Sequence, residues 1–163
     1  MKIIEIYGEN RLEYVKNKRE ACRGIVVSNG KMLLVYEGNI DQYMIPGGGV
    51  EKNETLEACC VRELAEETGF VVEPLEHYLN INEYYSDWLF VSHYFACKYV
   101  NTTKISLTES EIEAGLELRW IPINEAVEIF SKYQSYAIEN SQKRGMYYRE
   151  YNALLSFLKT DNN

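Results

Sequence analysis

The sequence predicts an α/β sandwich, a mixed sheet with one helix on each face, in a single domain over residues 1–163. Three stretches carry this expectation. Residues 24–27 and 32–36 are β-rich runs around Asn29-Gly30, the dipeptide favoured by a two-residue type I′ hairpin turn. A first helix begins near Asn53 or Thr55, either of which can cap it, and ends at Gly69. A final helix over 143–158 places Met146, Tyr147, Tyr151, Leu154, Leu155 and Leu158 on one stripe.

In chain order, Lys2–Tyr7 is short and apolar-rich, a first or edge strand, and 10–20 is charged, a loop or a ragged strand. After the hairpin, Tyr43-Met44-Ile45 is a short strand running into Pro46. Gly47, Gly48 and Gly49 can then supply the positive φ of a sharp turn. Residues 78–82 and 88–100 read as two strands joined through 83–87, whereas 98–109 is polar and loop-like. A last short strand covers 117–121, and past Pro122 a helix covers about 124–130. No internal repeat, low-complexity tract or Pro/Ser-rich linker divides the chain.

With 163 residues, 46% of them hydrophobic, the chain can bury a core of its own. A formal net charge of -8 argues against binding to a nucleic-acid duplex or an acidic membrane. A small anionic substrate stays open, because a bound metal can reverse the local field. No segment approaches the roughly 20 apolar residues that span a bilayer, and no basic start precedes an apolar run at the N-terminus. Cys22, Cys59, Cys60 and Cys97 show no CxxC spacing, so reduced, packed thiols in a cytoplasmic protein are expected. A homodimer stays open.

The chemistry concentrates in the first helix. Positions i, i+3 and i+4 are neighbours on a helix, so Glu63, Glu66 and Glu67 share one patch, where like charges cost about 0.2–0.5 kcal/mol per pair. Leu56, Cys60 and Leu64 form the apolar stripe; Glu63 and Glu67 border it and Glu66 lies just beyond. A merely solvated acidic face would lie opposite that stripe. A carboxylate at its edge is costly unless paired or metal-bound, and Arg62 can neutralise only part of the charge. A glutamate-rich surface helix is the plainer alternative, but glycines at both ends set these acids beside a backbone loop. A divalent cation is the counterion the pattern asks for.

Gly48, Glu54, Arg62-Glu63-Leu64, Glu66-Glu67 and Gly69-Phe70 match every specified position of the Nudix box, so the chain resembles the MutT-like Nudix hydrolases. The box covers 48–70; the Pro46-Gly47-Gly48 lead-in and Trp120-Ile121-Pro122 are also similar to the family. The resemblance implies a Nudix-type α/β/α sandwich with a central mixed sheet, including its strand order. It implies hydrolysis of the pyrophosphate bond in a nucleoside diphosphate linked to another group: a nucleoside triphosphate, a dinucleoside polyphosphate or a nucleotide sugar. It further implies Mg²⁺ or Mn²⁺ held by Glu63, Glu66, Glu67 and the Gly47 carbonyl, carboxylates held in place by Arg62, and a loop or outer metal supported by Glu54.

The general base varies within such enzymes; Glu63 and Glu66 are candidates, as is a later acid. Glu109, Glu111 and Glu113 are the late acids available, with Glu111 and Glu113 favoured for the base or the metal. Tyr43, Tyr84, Tyr85 and Trp88 are candidate platforms for a nucleobase, and Arg23 could meet a phosphate or sit in a salt bridge. His77 and His93 are expected to be ordinary hydrogen-bonded residues. The competing class is a catalytically silent Nudix domain that binds a nucleotide or metabolite as a sensor. Degenerate boxes signal that role, and this box is intact.

Overall fold

The structure, a computed structural model, describes residues 1–160. Strands β1 (Lys2–Tyr7), β2 (Asn17–Ser28), β3 (Lys31–Glu37), β4 (Gln42–Met44) and β5 (Gly47–Gly49) precede helix α1 (Leu56–Thr68). Strands β6 (Phe70–Tyr85) and β7 (Trp88–Thr102) follow, then the short helix α2 (Glu109–Glu113), strand β8 (Leu116–Pro122), and helices α3 (Ile123–Ser131) and α4 (Ser141–Thr160). The sheet runs β1-β6-β7-β2-β3-β4, with β5 added to β2 and β8 to β3. It is mixed: β1 is parallel to β6 and β2 to β7, while the other pairs are antiparallel.

Asn29 and Gly30 both take positive φ, 49° and 73°, as the type I′ turn requires. The hairpin they close pairs only Val27 with Met32 and Ser28 with Lys31. Beyond that point the strands part, β2 toward β7 and β5, β3 toward β4 and β8. The sheet therefore opens as a wedge.

Side chains alternate across a strand, and each face buries its own layer. Cys22, Val26, Leu33 and Phe95 pack under Cys59, Cys60 and Leu64 of α1. Ile25, Met32, Leu34, Leu79 and Tyr94 pack against Phe130 of α3 and Tyr147, Leu154 and Phe157 of α4. This is the α/β/α sandwich the sequence predicts. Thr55 caps α1 by accepting the Ala58 amide, and Gly69 ends it in the left-handed region at φ 71°. All four cysteines are free and buried. Among the described residues, no helix is long and apolar enough to cross a membrane.

Four expectations are corrected. Gly47–Gly49 is a short strand on β2 rather than a turn, and of the three only Gly47 has positive φ, 144°. Strand β6 starts at Phe70, directly after α1, not at 78; Pro74 and register shifts beside it break the alternation that signals a strand. The segment read as loop over 98–109 begins as the end of β7, which runs to Thr102, and gives way at Glu109 to α2, whose start is a capping box in which Thr108 and Glu111 exchange hydrogen bonds. On α4, Met146, Tyr151, Leu155 and Leu158 are only half-buried, while Lys143, Tyr147, Glu150, Leu154 and Phe157 are buried. The inward stripe is rotated because it carries charged residues that apolar periodicity passes over.

Candidate active site

The site is assembled where β5 meets α1. Gly47 and Gly48 are glycine because of close approach: a Cβ on Gly47 would stand 2.0 Å from the Cys22 carbonyl oxygen, and one on Gly48 2.3 Å from Glu63 Oε2. The Gly47 amide donates to Glu67 Oε2 at 2.8 Å. Arg62 grips Glu54 through Nε and Nη2, both at 2.8 Å. Its Nη1 donates to Glu63 at 2.8 Å and to Glu66 at 3.2 Å, while Nη2 also reaches the Gly49 carbonyl at 3.0 Å. One guanidinium thus ties three acids of the helix and its approach to β5.

The acids respond differently. Hydrogen bonding to Arg62 holds the Glu54 carboxyl down at about 2. Burial pushes Glu63 up despite Arg62, with the charges of Glu66 and Glu111 adding to the shift. Burial pushes Glu67 up to about 7, against the opposing Gly47 amide and the charge of Arg23. Glu66 is the most open of the set that Arg62 holds, with 44% of its side chain exposed.

A cleft of about 270 Å³ occupies the wedge between β2 and β3, lined by Arg23, Ile45, Gly47, Glu67, Glu111 and Leu116 among others. Of the late acids, Glu111 lines this cleft, with one carboxylate oxygen accepting the Thr108 amide at 2.7 Å. Glu109 and Glu113 are exposed and outside the lining, and Glu113 meets Asn39 through its carbonyl. Among the described residues, no three His, Cys, Asp or Glu side chains converge into a ready metal cage. Glu63 and Glu66 lean on Arg62, and Glu67 leans on the Gly47 amide. The donor chemistry still fits a hard divalent cation, since Glu63 and Glu67 are carboxylates whose burial leaves them short of positive charge.

Arg23 is in the cleft; the four aromatic candidates are not among its lining. Tyr43 alternates with Met44, which lines the cleft, and so faces away from it. It packs on Tyr36 at 4.8 Å between centroids and accepts Arg119 Nη1 at 3.0 Å. Tyr84 stacks on Tyr7 and Trp88 on Phe90, at 5.1 and 5.4 Å, and Tyr85 packs against Gly8 and Gly145. Trp88 is level with Asn17 on β2, six residues from Arg23, roughly 20 Å along the strand. These three sit at the far end of the β6–β7 hairpin because β6 runs away from α1. The histidines are hydrogen-bonded as expected: His77 and His93 share Asn80, and His93 also meets Glu20 at 3.1 Å.

The NUDIX domain family matches residues 18–140. Solved structures share the fold at low identity. The E. coli ORF135 protein aligns with a TM-score of 0.62 and 20% identity, covering 88% of this chain and 90% of that one. A NUDIX hydrolase from Nitrosomonas europaea aligns at 0.60 and 19%, covering 84% and 90%. A UDP-X diphosphatase aligns at 0.62 and 17%, covering 93% of this chain and 67% of that one. Comparison with curated proteins gives no match. The chain belongs to the Nudix family.

Proposed function

We propose that this protein is a metal-dependent hydrolase that cleaves the pyrophosphate bond of a nucleoside diphosphate linked to another group by attack of water. The observation that carries the proposal is Glu67: a carboxylate pushed up to about 7 by burial, facing a cleft that it shares with Arg23 and Glu111. Glu63, Glu66, Glu67 and the Gly47 carbonyl would hold Mg²⁺ or Mn²⁺, with Glu111 as the late acid nearest them. When bound, the cation offsets the dense negative charge of the pyrophosphate and stabilises charge at the phosphorus under attack.

The chain's own residues do the rest. Arg62 fixes the angle between α1 and β5, keeping Glu63 and Glu66 side by side, and Glu54 anchors Arg62 from behind. Glu63 or Glu66 would take the proton of the attacking water. Arg23 meets a phosphate oxygen from the cleft floor. The partner is a small nucleotide-type molecule.

A panel of nucleoside triphosphates, dinucleoside polyphosphates and nucleotide sugars, incubated with Mg²⁺ or Mn²⁺, tests this. At least one member should release a phosphate-containing product, and chelation should abolish the release. The fold likeness to a UDP-X diphosphatase makes nucleotide sugars the first class to assay. Metal-independent turnover would remove the ligand assignment. Tight nucleotide binding with no turnover would make the domain a sensor instead.

A further inference from the structure

The floor of the cleft is joined to the opposite face of the sheet by buried charges that the catalytic box does not include. Cys22 and Gly24 face α1; a Cβ on Gly24 would stand 2.7 Å from a Leu64 methyl. Arg23, between them, therefore turns toward α4 while still lining the cleft, because the sheet is open there. Its Nη1 donates to the Ile45 carbonyl at 2.9 Å, and its Nε lies 3.8 Å from Glu150 Oε1. Glu150, on α4, is fully buried, and it accepts Arg149 Nη2 at 2.7 Å and the Tyr94 hydroxyl at 3.2 Å. Arg149 Nη1 reaches the buried Glu83 at 3.2 Å.

Two arginines balance two glutamates, but the hydrogen bonding is incomplete. Arg23 Nε and Arg149 Nε are both buried without a partner among the described residues. A buried ion network with unmet donors is a poor device for stability alone; apolar side chains of similar volume do as well or better. What it does provide is orientation. A guanidinium binds phosphate oxygens through a planar fork, so its value depends on where the plane is held. The Ile45 carbonyl accepts a hydrogen bond from Arg23 Nη1, and the Glu150 carboxylate holds the Nε side by charge, at 3.8 Å.

We propose that Glu150 is a positioning residue: from the far side of the sheet it holds the Arg23 guanidinium at the cleft floor as a fixed donor to a phosphate of a pyrophosphate-containing substrate. This rests on the proposed hydrolase site and adds a residue outside the box to it. The sign of the effect is diagnostic. Removing a negative charge next to Arg23 would by electrostatics alone tighten anion binding, whereas loss of positioning weakens it.

The test measures the Kd of inorganic pyrophosphate by calorimetry in Mg²⁺, which needs no turnover, together with KM and kcat for whichever panel member is cleaved. Glu150→Gln should weaken pyrophosphate about tenfold and raise KM by a similar factor, with kcat within about threefold. Arg23→Gln should do the same, and the double variant should add little to either. Glu83→Gln, at the outer end of the network, should lower Tm yet leave pyrophosphate affinity within about twofold. If Glu150→Gln does not fold, Glu150→Asp keeps the charge but withdraws it from Arg23 and should still weaken binding. Unchanged or tighter pyrophosphate binding in the Glu150 variant overturns the proposal, as does equal weakening by Glu83→Gln or no binding by the unmodified protein. A panel without turnover removes the hydrolase function, while the pyrophosphate measurement still decides this one.

Discussion

Two clusters of arginine and glutamate lie on opposite faces of one sheet, and they are balanced differently. On the α1 face Arg62 alone serves Glu54, Glu63 and Glu66, and Glu67 has only a backbone amide and the field of Arg23. On the α4 face Arg23 and Arg149 match Glu83 and Glu150, and the cluster is closed by Tyr94. The first keeps surplus carboxylate at a cleft; the second carries no net charge and is buried except where Arg23 reaches the cleft. Surplus buried carboxylate calls for a cation that the protein itself does not supply. Balanced buried charge fixes the direction of a side chain. On the proposed reading, the same two residue types give a ligand site in one place and a scaffold in the other.

The largest expected effect breaks the first cluster. Glu67→Gln or Glu66→Gln should lower turnover by about a thousandfold or more, with the circular dichroism spectrum intact. Full activity in either variant would dissolve the ligand assignment. Arg62→Ala should cost about 3 kcal/mol of stability in urea unfolding, because it strands Glu54 and Glu63 in mostly covered positions. Glu150→Ala, on the balanced side, should cost as much or more, about 3–5 kcal/mol, as it removes the carboxylate that the buried Arg23 and Arg149 share. If Arg62→Ala proved the more destabilising, the contrast between open and balanced clusters would fail.

A smaller effect separates them by pH. The folded-state pKa of Glu67 is raised to about 7 from an ordinary 4.5, so between those values the folded protein holds a proton that the unfolded chain has released. Its contribution to stability is full below pH 4.5 and is lost as pH rises toward about 7. Glu54 has the opposite sign: held at about 2, it contributes above pH 4.5 and is lost as pH falls toward 2. In metal-free protein, Glu67→Gln should therefore flatten the decline of the urea midpoint between pH 4.5 and 7, and a slope equal to the unmodified protein's would refute it. Saturating Mg²⁺ should reverse that decline, because the cation favours the ionised carboxylate. The smallest effect is at the hairpin tip: Trp88→Ala should change KM by less than about twofold, since Trp88 lies roughly 20 Å along the sheet from Arg23.

The box was legible because its geometry is local. The Arg62–Glu66 contact is one helical turn, and Thr55 and Gly69 act within a few residues of themselves. The Asn29-Gly30 hairpin was legible for the same reason. Tyr84, Tyr85 and Trp88, read as candidate platforms for a nucleobase, lie away from the cleft, because nearness to the box in sequence says nothing of the direction in which β6 leaves it. Glu150 was not singled out at all. Its signal was present, a charged residue at the buried spacing of Lys143, Tyr147, Leu154 and Phe157, but a search for apolar periodicity reads such a residue as facing water.

By itself the sequence determined the acidic helix and its caps, which depend on contacts a few residues apart, and the resemblance that the box carries. Only the tertiary structure decided which late acid faces the cleft, which aromatics do not, and that Arg23 is held from α4. Those contacts join residues far apart along the chain, across a wedge that exists only once β2 and β3 have parted.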